Sequence, residues 1–256
     1  TVLKATTGQT SISAGGGSIR GVAEDEVADI DASTVTLTAR DGITGSTTNA
    51  PLELVGTASV SAATTNSGTI NLKGLGDLTV TSTTTANGPI AITTAGNLSA
   101  TSITSTTNSD ANDITLASTN GSMSLGEVNA KTAGDITIST GGSLTANKLQ
   151  SDVLTATSDQ LIDIGTNTNT LQVTAGADLT ILEHDGLVLS DVRSIGGNVS
   201  ITVGNQSAGT LQIGNVISNA GSVTMTNHRG TVNDYSNDQI VDINAGNGAI
   251  SLTARD

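Results

Sequence analysis

The sequence predicts an all-β chain wound as a right-handed parallel β-helix of about 12 coils, each of roughly 22 residues and three short strands. Three observations carry this expectation. Short turn-and-strand units recur along the chain, their apolar residues fall into matched columns, and the core has no aromatic anchor.

The units read GDLTV at 76–80, GNLSA at 96–100, NDITL at 112–116, GDITI at 134–138, ADLTI at 177–181 and GNVSI at 197–201. In GDITI, Ile136 and Ile138 point one way and Thr137 the other, which is period-2 alternation with one face buried. The Gly, Asp or Asn before each strand suits a tight turn that needs positive φ or a side-chain cap. Comparable strands open at Ile12, Val35, Leu52, Ile70, Ile90, Ile114, Ile136, Val153, Leu171, Val199, Val223 and Ile250. Their intervals are unequal, among the shortest from Val35 to Leu52 and longest from Leu171 to Val199. Between Ile90 and Leu149 the pattern resolves into three columns. Ile90, Ile114 and Ile136 form one, Leu98, Met123 and Leu144 a second, and Ile103, Val128 and Leu149 a third. Three matched columns describe a triangular coil. A β-sandwich would need two-residue hairpins and would give no fixed coil length. No long i, i+3, i+4 apolar pattern supports a helix, and Thr, Ser, Gly and Asn are poor helix interiors. The right hand follows from the general preference of parallel crossovers.

Composition agrees. Among 256 residues Tyr235 is the only aromatic, cysteine is absent, proline occurs at Pro51 and Pro89, and glycine occurs 30 times. A narrow interior layered with Ile, Leu, Val and Ala fits this content. The net charge of −14 disfavours nucleic acid and anionic membrane as partners, because both recruit Lys and Arg. No apolar run is long enough for a membrane-spanning helix. No signal peptide is expected at Thr1.

A longer repeat overlies the coils. GSIRGVAEDEVADIDA at 17–32 aligns with GTVNDYSNDQIVDINA at 230–245, with Gly17, Asp25, Asp29, Ile30 and Ala32 matching Gly230, Asp238, Asp242, Ile243 and Ala245. LTARD at 37–41 recurs at 252–256. Both alignments share a nearly constant offset of roughly 214 residues, the mark of a tandem array. The expectation is a single continuous β-helix over 1–256, made of one unit at about 17–230 and the start of the next at 230–256. The partners would then be neighbouring repeats of one long chain, or copies stacked end to end in a fibre. The absence of a polar cap at either end supports both arrangements.

These features resemble the repetitive shafts of bacterial filamentous haemagglutinin-like adhesins and large autotransporter-type or two-partner-secreted exoproteins. The resemblance spans essentially the whole chain and rests on the [GN][DN][ILV][TS] units, the coil length, the aromatic-poor core and the lack of cysteine. It implies export, an extracellular or bacterial cell-surface location, and a structural shaft that displays adhesive regions to a host or cell-surface receptor.

No catalytic, cofactor-binding or metal-binding residue is assigned, and the chain is not expected to be an enzyme. Several clusters have plainer readings. Glu183, His184 and Asp185 combine metal-ligand types, but Asp185–Gly186 reads as a solvated turn. Glu24, Asp25 and Glu26, with Asp29 and Asp31, could attract calcium, yet the aligned copy carries Asn237 and Gln239 and reads as a solvated loop. Gly15, Gly16 and Gly17 lack the lysine and helix of a phosphate loop. His228 and Arg229 read as a turn, as do Asn87–Gly88, Asn120–Gly121 and Asn247–Gly248. Threonine-rich TSTTTA at 81–86 and ITSTTNSD at 103–110 suggest ice or crystal-surface binding, but unequal coil lengths would break a flat array. Outward strand positions explain the same threonines. The alternative functions are a carbohydrate- or protein-receptor-binding module built on irregular loops such as 104–112, and a polysaccharide-active β-helix enzyme. The enzyme would need clustered carboxylates or basic residues and sugar-stacking aromatics, and neither is evident.

Overall fold

The computed structural model describes residues 3–22, 27–56, 59–204, 206–236 and 241–255. Every strand pairing among them is parallel, no helix is present among them, and the strands stack as a β-solenoid of about ten turns. Each strand therefore finds its ladder partners in the coil before and the coil after.

The longest column runs through Thr10, Val35, Val60, Val80, Ala100, Leu125, Ala146, Ile164, Ile181, Ile201, Met225 and Leu252. A second face carries Ile19, Ile43, Ile70, Ile90, Ile114, Ile136, Leu154, Leu171, Leu189 and Ile213. The third face carries Thr83, Ile103, Val128, Leu149, Thr166 and Glu183. Nearly all of these side chains are fully buried, and one continuous aliphatic core joins them. Leu98, Met123 and Leu144 run beside the longest column on the same strands, so all three columns read from the sequence between Ile90 and Leu149 are present in register.

The end-to-end series of anchors needs correction. Val35 pairs with Thr10, while Ile12 pairs with Leu37. Leu52 sits beside Leu72 rather than Ile70. Ile136 is followed by Leu154, not Val153. Val199, Val223 and Ile250 lie on a different face from Leu171. Any inward aliphatic residue looks like any other, so apolar identity alone cannot tell one face of a triangular coil from the next.

Coil length varies where the chain turns. At the corner between two faces, the strand places two successive residues outward and keeps going. Thr81–Ser82, Thr101–Ser102 and Asn147–Lys148 do this within the strands Leu78–Asn87, Leu98–Ser105 and Leu144–Ser158. Leu144–Ser158 and Ile162–Ala175 pass round their coils almost without loops. Here successive members of the longest column, Ile164 and Ile181, lie closest together in sequence. Elsewhere extra residues are inserted at corners, and the widest interval runs from Met225 to Leu252. The faces stay aligned as a result. Outward Thr79, Ser99, Ser124 and Thr145 remain side by side across coils of unequal length, so length variation does not break up the outward rows.

Two ladders fix the turns ahead of the strands that open at Leu98, Met123, Val199 and Val223. Buried hydroxyls of Thr94, Ser118, Thr140, Ser158, Ser194 and Ser218 each donate to a backbone carbonyl of the preceding coil, at Gly76, Gly96, Gly121, Gly142, Ala177 and Gly197. Ser118, Ser194 and Ser218 also accept the N–H three residues ahead. Two residues of the turn motif are used in the second ladder. The N–H of Asn97 donates to Asp77 Oδ1 at 2.7 Å, and the N–H of Ser122 donates to Asn97 Oδ1 at 2.9 Å. Asp178, Asn198 and Ser222 repeat this arrangement. Positive φ is not what Gly96 and Gly197 supply, because neither adopts it. A Cβ on Gly96 would collide with Asp77 Oδ1, and one on Gly197 would collide with Asp178 Oδ1. The acidic cap of one coil therefore excludes a side chain from the next.

Candidate functional site

The corner at 183–186 departs from the aliphatic pattern. The strand Leu179–Glu183 alternates inward Leu179, Ile181 and Glu183, so period 2 drives the carboxylate into the core. Glu183 is 0% exposed. Its Oε1 accepts the N–H of His184 at 2.7 Å and of Asp185 at 3.4 Å, and its Oε2 accepts the N–H of Thr168 at 3.3 Å. Thr166 faces it from the coil below without a regular hydrogen bond. Burial pushes its pKa from 4.5 up to about 7, against the pull of Thr166 and the three N–H donors. Asp185 and His184 are half-buried in the turn itself. The solvated-turn reading thus fails for Glu183, whose parity with Leu179 and Ile181 is visible in the sequence. Glu183 is a structural clamp on the corner, and its Oε atoms are occupied by backbone donors.

The loop after Leu98–Ser105 is also tied down. Asn112 is fully buried. Its Nδ2 donates to Thr107 O at 2.7 Å and Thr107 Oγ1 at 3.0 Å, and its Oδ1 accepts the N–H of Gly88 at 2.7 Å. Gly88 has φ of 135°, and a Cβ there would sit 2.8 Å from Gly68 O. Asn87–Gly88 is therefore a turn held from outside by the next coil. Replacing Asn112 by alanine leaves the Gly88 N–H and the Thr107 carbonyl without partners. A loss of about 2–4 kcal/mol is expected in urea unfolding, with earlier proteolytic cleavage at 106–112.

The acidic loop is only partly described. Glu24, Asp25 and Glu26 lie outside the described residues, as do Asn237, Asp238 and Gln239 of the aligned copy. Asp29 accepts the N–H groups of Val22 and Glu53 at 3.0 and 3.1 Å. It is a bridge between coils. Glu53 is also buried, with Oε1 3.1 Å from Lys73 Nζ. Among the described residues, no three His, Asp or Glu side chains come together in a way that could hold a metal ion. Gly15, Gly16 and Gly17 make the turn between the strands Leu3–Ala14 and Ser18–Arg20, with Gly17 O accepting the N–H groups of Arg40 and Asp41. His228 follows the strand Val223–Asn227, and its N–H donates to Val203 O.

The one aromatic side chain stands apart from the core. Tyr235 is 53% exposed and borders a surface hollow of about 410 Å³ with Ser190, Gly214, Asn215, Ser236, Val241 and Asp242. Its rim supplies the hydroxyls of Ser190, Ser236 and Tyr235, the Asn215 amide and the Asp242 carboxylate. No protein-family model, curated protein or solved structure matches the chain.

Proposed function

We propose that the chain is a structural segment of a long bacterial surface shaft, exported and extracellular, that works by extending and displaying other regions. The observation that supports this most is the continuous aliphatic core that joins the coils from Ile19 to Ala245. A stack of this kind converts chain length into reach, because each coil adds the spacing of one strand, about 4.8 Å. Its stability is carried by nearest-neighbour coils, which suits an extended element under load. The charge of −14 keeps such a surface soluble and repels like surfaces. The buried carboxylates hold backbone or a lysine, which favours a scaffold over a catalyst.

The reading is tested on cells that make the protein. An antibody against this chain should label intact cells as strongly as permeabilised ones, and brief external protease should remove the signal. Labelling only after permeabilisation would defeat the surface location. Turnover by the purified chain on a panel of polysaccharides would defeat the non-enzymatic reading.

A further inference from the structure

The long sequence repeat has a counterpart in strand pairing. At the start of the chain, Leu3 pairs with Ile30, Thr10 with Val35, Ile12 with Leu37 and Ala14 with Ala39. Near the end, Val216 pairs with Ile243, Val223 with Ile250, Met225 with Leu252 and Asn227 with Ala254. Each later pair is the earlier one moved along by the offset of the sequence repeat. The strands Ile243–Asn244 and Ile250–Ala254 are thus the structural equivalents of Ile30–Ala39, and Val216–Ser218 and Val223–Asn227 those of Leu3–Ala14.

The two equivalent coils differ in what covers them. Ile43 sits on Ile19, Leu54 on Ile30, Val60 on Val35 and Ala62 on Leu37. Val35 and Leu37 are 0% and 1% exposed, whereas their equivalents Ile250 and Leu252 are 52% and 47% exposed. The opposite end behaves likewise. Leu3 is 47% exposed, while its equivalent Val216 is fully buried on Val192.

We propose that the open edge of the coil 232–254 is the docking surface for a second copy of this unit, entering at its coil 42–64 within the same polypeptide. This rests on the shaft reading and specifies how its units join. It also decides between the two arrangements open to such a shaft. Whole copies stacked end to end would lay Leu3–Ala14 over 232–254, but Leu3–Ala14 matches the coil beneath that edge, so the rows would fall out of phase. A continuous chain keeps them in phase. Over one unit the longest column takes ten steps from Thr10 to Met225, and Met225 is the repeat equivalent of Ile12. The strands thus slide by two residues per unit, an even number that leaves inward residues inward.

The test is a two-copy chain in which residues 42–256 follow Asp256 of the full sequence. Docking should lengthen the scattering envelope by about 48 Å as one rigid rod. Amides of Ile250–Ala254 in the first copy should exchange roughly 100-fold more slowly than in the single chain. Ile250→Asp with Leu252→Asp should abolish that protection, yet in the single chain disturb only the last coil, so that amides of Leu144–Ser158 keep their slow exchange. Unchanged exchange on fusion, or two bodies joined flexibly, would overturn the seam. The surface-labelling result would stand independently of that outcome.

Discussion

Replacing Ile114 by aspartate is expected to break the solenoid in its middle, with a loss of at least about 5 kcal/mol in urea unfolding. Ile114 is 0% exposed and lies between Ile90 and Ile136 on the same face. Removing its side chain alone costs about 2–5 kcal/mol through lost burial and the cavity left behind. The aspartate adds a charge with no partner in an aliphatic stack. Coils in a solenoid are stabilised mainly by their neighbours, so the loss should uncouple the two halves and replace one transition by two. Thr115→Asp is the control. Thr115 is exposed on the same strand, one residue away, and its substitution should stay within about 0.5 kcal/mol. Equal losses from the two variants would refute the inward–outward assignment of this face.

Glu183→Gln is expected to stabilise the protein at pH 8 and to remove a pH dependence that the native chain carries. The folded pKa of Glu183 is raised to about 7 by burial. Below the ordinary glutamate value of about 4.3, both folded and unfolded forms are protonated and the group has no effect. As pH rises from there to about 7, the unfolded chain releases its proton while the folded chain holds it, so stability falls. Above about 7 both forms are ionised and the penalty persists at up to about 3 kcal/mol. Glutamine keeps an acceptor for the His184 N–H but turns its amide against the Thr168 N–H, which offsets part of the gain. An advantage of about 1–3 kcal/mol at pH 8 should therefore vanish or reverse near pH 4.5. Subtracting the two stability curves removes every other titrating group. Parallel curves would show that Glu183 ionises as freely in the folded chain as in the unfolded one.

Much of this fold is legible because its physical basis is repetitive. Period-2 alternation of Ile, Leu and Val marks the strands, and the lack of aromatics points to a narrow core. Where coils are nearly equal, as from Ile90 to Leu149, the columns can be read residue by residue. Assignment fails where corners are split by inserted residues, as between Ser18–Arg20 and Ile30, because no residue type marks the face it belongs to. The turn signal is legible too, but at Gly96 and Gly197 its cause is not positive φ. Gly96 and Gly197 answer to crowding by Asp77 and Asp178 of the coil below, a contact between coils that no local reading contains.

The sequence by itself determined the all-β class, the coil length, the three central columns and the long repeat, because each depends only on local alternation and spacing. The tertiary structure alone decided which hydroxyls bridge coils, how Asn112 locks its loop, and that Glu183 is a buried clamp in place of a solvated turn residue. Those outcomes depend on register between coils, which is set by side chains and corner insertions acting together across the stack. It also decided that the strand pairing of the first two coils recurs at the far end, which turned a similarity of letters into two equivalent pairs of coils.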